Sequence, residues 1–145
     1  GGAAAIHTAA KIPSLKAVAT IGAPYDPEHV THLLTDDLET IREHGQATVN
    51  IGGRPFQIKR KFLESLQREN LSETVRTMKR ALLVLHSPID AIVGIDNAAN
   101  LFQAAKHPKS FISLDNADHL LSRKQDAQYA GRLIAAWTAK YVDPQ

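Results

Sequence analysis

The fold of this chain is decided by Ala81-Leu82-Leu83-Val84-Leu85-His86, an unbroken apolar run that ends in a histidine. Such a run, without polar alternation, is typical of a β-strand that is buried on both faces of a parallel sheet. The chain has 145 residues, which is enough for one domain with a sizeable core. We therefore predict a buried parallel strand over residues 81–86.

Two further strands and several helices surround this run. Residues 16–21 form a short apolar stretch that stops at Gly22, and residues 110–114 form another. Helices are predicted next to these strands, over residues 2–11, 95–107 and 126–141. Strands and helices that alternate at this spacing form parallel βαβ units. The fold class predicted from the residues is therefore α/β, with about three parallel strands flanked by helices.

The stretch between the first two strands has a different pattern. Residues 47–51 alternate between apolar and polar, and Gly52-Gly53 follows as a turn signal, which together predict a β-hairpin. Helices are predicted on either side of the hairpin, over residues 27–44, 60–69 and 72–79. We therefore expect an inserted helix–hairpin–helix region that forms a cap-like insertion over residues about 25–80.

The charge of the chain is divided into two blocks that cancel. Residues 25–45 carry six acids and one base, whereas residues 54–80 carry eight bases and three acids. The basic block contains no known nucleic-acid motif, so we expect solvated helix faces or pairing with the acidic block and no nucleic-acid partner. No apolar run approaches the ~18 residues of a membrane span, so we expect no membrane insertion.

Cysteine and histidine usage limits the chemistry of the chain. There is no cysteine, which excludes a thiolate nucleophile and a cysteine zinc site within these residues and fits a cytoplasmic location. His29 and His32 lie three residues apart, but no third ligand is evident, so we expect no metal. No motif implies an organic cofactor.

Two polar residues follow consecutive predicted strands and carry the functional hypothesis. Asp90 follows strand 81–86, and His119 follows strand 110–114. Functional residues of open parallel sheets lie beyond the carboxyl ends of the strands. An acid followed by a histidine in this order is the second part of a hydrolase triad, in which the acid orients the imidazole and the imidazole takes the proton of a nucleophile.

Each of these residues also has a purely structural interpretation. Asp90 follows a proline and could cap the next helix, and His119 could lie on a surface loop. Asp115 and Asp118 are candidate triad acids only if Asp90 fails, because they lie on the histidine loop itself. We interpret His86 as a structural or pocket-lining group and not as the base.

Several stretches resemble proteins of the α/β-hydrolase superfamily. Residues 86–93, His-Ser-Pro-Ile-Asp-Ala-Ile-Val, resemble its acid loop, and residues 115–121 resemble its histidine loop. Residues 1–5 are similar to the tail of a G-x-S-x-G-G-A-A nucleophile elbow, and residues 17–24 are similar to the strand that follows it. More narrowly, the chain resembles dienelactone-hydrolase-like proteins, including hydrolase halves that are fused to an OsmC-type domain.

The resemblance implies a hydrolase whose triad acid is Asp90 and whose triad base is His119. The nucleophilic serine would precede Gly1, so we expect residues 1–145 to be the C-terminal portion of a single α/β-hydrolase domain that is inactive on its own. The substrate implied for the intact hydrolase, of which this chain would be a part, is a small-molecule ester or a related acyl compound. We expect the strand at 16–21 to pair with the missing N-terminal half or with a second copy. The alternative is a non-catalytic binding or interaction module on the same scaffold.

Overall fold

The computed structural model describes residues 1–25, 34, 36–51, 53–68 and 71–142. The chain divides into two compact units, Gly1–Tyr25 with Leu71–Gln145 and Asp26–Asn70. In chain order the elements are α1 (Gly2–Lys11), β1 (Ala17–Ile21), α2 (Leu38–His44), β2 (Gln46–Ile51), β3 (Arg54–Lys59), α3 (Arg60–Arg68), α4 (Leu71–Thr77), β4 (Ala81–His86), α5 (Asp96–Ala104), β5 (Lys109–Ser113) and α6 (Lys124–Val142). No helix within these described ranges is long and apolar enough to cross a membrane.

The first unit is built on a three-stranded parallel sheet in the order β1-β4-β5. All six residues of β4 are buried, as its unbroken apolar run predicts. On one face of the sheet, Leu82 and Val84 pack with apolar residues of α1, α4 and α5. On the other face, Leu83 and Leu85 pack against apolar side chains of α6. The prediction of an α/β fold with three parallel strands flanked by helices is confirmed.

Hydrogen bonds beyond the strand ends bring three loops to one edge of this sheet. The N–H of Gly22, just after β1, donates to the carbonyl of Leu85 at 2.9 Å. The N–H of Leu114, just after β5, donates to the carbonyl of His86 at 2.9 Å. Because the strands are parallel, the loops that follow β1, β4 and β5 all begin at this carboxyl edge.

The second unit has its own small apolar cluster beneath a hairpin. Strands β2 and β3 pair antiparallel, and Gly53 in the connecting turn has a φ of 80°. Leu34, Ile41, Val49 and Leu63 are buried together. The role of this region as a cap-like insertion stays a prediction.

The prediction of one continuous helix over residues 27–44 is wrong at Asp36 and Asp37. Asp36 and Asp37 form a turn, and the helix begins only at Leu38. The N–H of Asp37 donates to the carbonyl of Leu34, which closes a tight turn in place of a continuous helix. Residues 27–33 and 35 of this prediction lie outside the described residues.

Candidate active site

Asp90 and His119 lie in direct contact at the carboxyl edge of the parallel sheet. Asp90 lies in the loop after β4, and His119 lies in the loop after β5. The Nδ1 atom of His119 is 2.7 Å from Oδ2 of Asp90, which is a short, charge-assisted hydrogen-bond distance. The structure therefore brings together the two residues that the strand order of the sequence places at one sheet edge.

The carboxylate of Asp90 is held by its own loop. Its side chain is 2% exposed, and its Oδ1 accepts hydrogen bonds from the backbone N–H groups of Ile92 at 2.9 Å and Val93 at 2.8 Å. Two donors on Oδ1 fix the rotation of the carboxylate, so Oδ2 is left to face the imidazole.

The imidazole of His119 has one nitrogen engaged and one nitrogen available. An ionised carboxylate oxygen can only accept a hydrogen bond, so Nδ1 of His119 carries the proton and donates it to Oδ2 of Asp90. Its Nε2 then carries a lone pair, and no residue in the described part of the chain hydrogen-bonds to it. The side chain is 22% exposed. This arrangement leaves Nε2 able to accept a proton from a group that approaches from outside.

The histidine loop is fixed by contacts of its own residues. Asp118 accepts hydrogen bonds from the backbone N–H and the hydroxyl of Ser122. Arg123 pairs with Asp126 at 2.9 Å and donates to the carbonyl of Asn116 at 2.7 Å, which ties the loop to the start of α6. His119 is therefore presented by a loop that is anchored on both sides.

Among the described hydrogen bonds, neither of the two alternative acids bonds the imidazole. Asp115 is exposed and accepts a hydrogen bond from the Ser113 hydroxyl at 2.8 Å. Asp118 is also exposed, and its two oxygens are engaged with Ser122. Asp90 is the acid that hydrogen-bonds His119.

Gly22 is a site residue, although its sequence context indicates only the end of a strand. Its φ is +59°, and a Cβ built on it would lie 3.1 Å from both Cε1 and Nδ1 of His119 and 3.3 Å from Oδ2 of Asp90. The position therefore combines a left-handed backbone with close packing under the acid–imidazole pair, and both features favour glycine. A glycine directly after an apolar strand is the sequence signal that could have indicated it.

A buried amide links the loop after β1 to the loop after β4. Oδ1 of Asn97 accepts from the N–H of Tyr25 at 3.0 Å, and its Nδ2 donates to the carbonyl of Gly94 at 3.0 Å. Asn97 is buried, and both hydrogen bonds are partly shielded from solvent. This link ties the segment that carries Gly22 to the loop that carries Asp90.

His86 lies directly behind the pair. It is fully buried, and its Nε2 is 2.7 Å from the carbonyl oxygen of Val93 and 3.6 Å from Oδ2 of Asp90. From the sequence, His86 is interpreted as a structural or pocket-lining group that precedes Asp90 by four residues. The structure adds its hydrogen bond to the carbonyl of Val93, which the sequence pattern does not indicate.

Metal chemistry has no evident centre in the described part of the chain. No group of three or more His, Cys, Asp or Glu side chains there is arranged to hold a metal ion. His29 and His32, which the sequence analysis considered, lie outside the described residues.

Comparison with solved structures identifies proteins that share this architecture. The esterase domain of a Rhodothermus marinus protein is 57% identical over 98% of this chain, with a TM-score of 0.85. This chain has the fold of the α/β hydrolases. Alpha/beta hydrolase domain-containing protein 10 from mouse shares the fold at 21% identity over 97% of this chain, with a TM-score of 0.70. Ferulic-acid-bound Est1E from Butyrivibrio proteoclasticus shares it at 16% identity over 98%, with a TM-score of 0.74.

The chain spans only part of the length of these three proteins. It covers 58% of the Rhodothermus marinus esterase domain, 59% of the mouse protein and 56% of Est1E. Neither the protein-family models nor the curated proteins with which the sequence was compared give a match.

Proposed function

We propose that this chain carries the acid and the base of a serine hydrolase that cleaves an ester or a related acyl bond. The observation that supports the proposal most is the 2.7 Å hydrogen bond between Nδ1 of His119 and Oδ2 of Asp90 at the carboxyl edge of the sheet. The 57% identity to an esterase domain supports the same class of reaction.

In the proposed reaction, His119 moves the proton and Asp90 holds the imidazole. Nε2 takes the proton of a serine hydroxyl as its oxygen adds to the carbonyl carbon of the ester. The imidazolium then gives this proton to the leaving alcohol, and an acyl-enzyme remains. In the second half, Nε2 takes a proton from water as the water adds to the acyl carbon. The imidazolium then gives this proton to the serine oxygen as the bond between that oxygen and the acyl carbon breaks, which releases the carboxylic acid and regenerates the serine. Asp90 stabilises the charged imidazolium in both halves.

The nucleophile is proposed to come from outside these 145 residues. The seven serines of the chain, at positions 14, 65, 72, 87, 110, 113 and 122, do not lie in a G-x-S-x-G context. The relatives are longer than this chain, which leaves room in them for further strands. We propose that β1, whose outer edge carries no partner among the described strands, pairs with the segment that supplies the nucleophile.

The acid and histidine loops support a narrower proposal. Residues 86–93 and 115–121 resemble dienelactone-hydrolase-like proteins, including those fused to an OsmC-type domain. The substrate class that fits this resemblance is a small-molecule ester. We propose a cytoplasmic location, which is compatible with a chain that has no cysteine for disulfide bonds. The alternative of a non-catalytic binding module is not favoured, because an esterase relative matches 98% of this chain.

The test is a chimera in which this chain replaces the matching segment of the Rhodothermus marinus esterase domain. The rest of that esterase domain then supplies the segments that have no counterpart in this chain. We expect the chimera to hydrolyse a chromogenic ester, and we expect His119→Ala to abolish turnover. The matched control is His107→Ala, because His107 is exposed and precedes β5 at the opposite end of the strand. A folded His119→Ala chimera that keeps the activity of the His107→Ala chimera would contradict the proposal.

A further inference from the structure

A second histidine approaches Asp90 from inside the protein. His86 is the last residue of β4 and is fully buried, whereas the proposed reaction uses only His119. The Nε2 atom of His86 lies 2.7 Å from the carbonyl oxygen of Val93. The same atom lies 3.6 Å from Oδ2 of Asp90, which is beyond the usual range of a hydrogen bond. Oδ2 therefore remains available to His119.

The contacts of His86 select one tautomer. A carbonyl oxygen can only accept a hydrogen bond, so Nε2 of His86 carries the proton and donates it to Val93. Nδ1 is buried and has no hydrogen-bond partner among the residues that the structure describes. A proton on Nδ1 would be a buried donor without an acceptor there, which is unfavourable.

Val93 connects this imidazole to the carboxylate. Its carbonyl accepts from His86, and its N–H donates to Oδ1 of Asp90 at 2.8 Å. Both polar groups of one peptide segment are therefore fixed, one by each side chain. Because Val93 and Ile92 together hold Oδ1, the direction in which Oδ2 points depends on the position of Val93.

We propose that His86 is a positioning residue that directs Asp90 towards His119 by holding the carbonyl of Val93. The proposal rests on the proposed function only in giving the Asp90–His119 pair its catalytic role. The hydrogen bond of His86 goes to the carbonyl of Val93, whereas His119 bonds Asp90. It acts through the acid loop, from the end of the most buried strand of the sheet.

Three variants separate positioning from simple support of the fold. His86→Gln keeps an N–H donor close to the position of Nε2, whereas His86→Met keeps a similar bulk without a donor. Leu83→Ala is the control for destabilisation, because Leu83 is fully buried on the same strand and packs in the cluster on the other face of the sheet. All three are made in the 145-residue chain.

The readouts are the ring-nitrogen NMR spectrum of the histidines and the hydrogen exchange of the Val93 amide. In the unmodified chain we expect the proton on Nε2 of His86 and on Nδ1 of His119. In His86→Met we expect the Val93 amide to exchange about tenfold faster relative to the β4 amides, which is the effect of losing about one net hydrogen bond. We also expect this variant to weaken the Nδ1–H signal of His119, and His86→Gln to restore it.

The results that would overturn the inference do not depend on activity. A proton on Nδ1 of His86 in the unmodified chain would overturn it, and this measurement decides the matter even if His86→Met does not fold. A folded His86→Met chain with an unchanged His119 signal would overturn it too, as would the same loss of signal in Leu83→Ala. An inactive chimera with the expected NMR spectra would contradict only the proposed function.

Discussion

The substitution Asp90→Asn tests the acid–imidazole pair with a change of a single atom. Oδ1 of Asp90 accepts from two backbone N–H groups, of Ile92 and Val93. Only the oxygen of the new amide can take this place, so its NH₂ group must occupy the position of Oδ2. Two donors would then face each other across the 2.7 Å contact with His119. The imidazole can relieve this contact only by moving its proton from Nδ1 to Nε2.

The size of the effect follows from this change of tautomer. With its proton on Nε2, His119 has no lone pair towards the nucleophile and cannot act as its base. The same change in the Ser-His-Asp template lowers kcat by about 10⁴, and we expect a loss of this order here. At about 1.4 kcal/mol for each factor of ten, this corresponds to roughly 5 kcal/mol in the activation free energy. The fold should persist, because a loss of one or two hydrogen bonds costs about 1–3 kcal/mol.

The assay has a kinetic and a spectroscopic arm. In the chimera with the Rhodothermus marinus esterase domain, kcat for a chromogenic ester is compared between Asp90→Asn and the control Asp115→Asn. Asp115 lies on the histidine loop but bonds only Ser113 among the hydrogen bonds described for its side chain. In the chain alone, ring-nitrogen NMR reports the tautomer of His119. A chimera with Asp90→Asn that retains more than a tenth of the activity, or a His119 that keeps its proton on Nδ1, would refute the reasoning.

Three further predictions address packing, the sheet core and the sheet edge. Gly22→Ala should weaken the Nδ1–H signal of His119. The control is Gly45→Ala, because Gly45 has a φ of +80° and open space around it, so this variant should share the backbone strain of about 1–2 kcal/mol without the loss of signal. Equal His119 spectra for the two variants would argue against the close contact of Gly22 with the imidazole. Leu82→Ala removes a fully buried side chain and should lower the free energy of unfolding, measured in urea, by about 2–5 kcal/mol. Ile89 is exposed, so Ile89→Ala should lower it by less than about 0.5 kcal/mol. Similar losses of unfolding free energy in the two variants would contradict the assigned core. The open edge of β1 should cause association that grows with concentration, and a stable monomer in size-exclusion chromatography with light scattering at high concentration would count against it.

The sheet could be predicted from the sequence because its central strand leaves little choice. The run 81–86 is apolar throughout, and the structure buries every residue of it. The order of the strands along the chain then places Asp90 and His119 at one sheet edge. Their meeting is therefore a consequence of topology, which local patterns can indicate.

The contacts around this pair could not be predicted in the same way. Gly22 lies 97 positions before His119 in the chain, and its role depends on the distance between the end of β1 and the imidazole ring. His86 acts through the carbonyl of Val93, a backbone group that every residue type carries. The turn at Asp36 and Asp37 also overrides a helical pattern of apolar residues. Each of these features is fixed by three-dimensional contacts, which residue spacing alone does not establish.

The most direct test of the acid–base assignment is the rate at which a fluorophosphonate labels the chimera. Mass spectrometry measures this rate. This reagent reacts with an activated serine, so its rate reports the proton transfer that His119 is proposed to perform. The account predicts rapid labelling of the chimera and of its His107→Ala variant, and a loss of at least about a hundredfold in the His119→Ala variant, as expected when a general base is removed. Equal labelling rates in the folded His119→Ala and His107→Ala chimeras would contradict it.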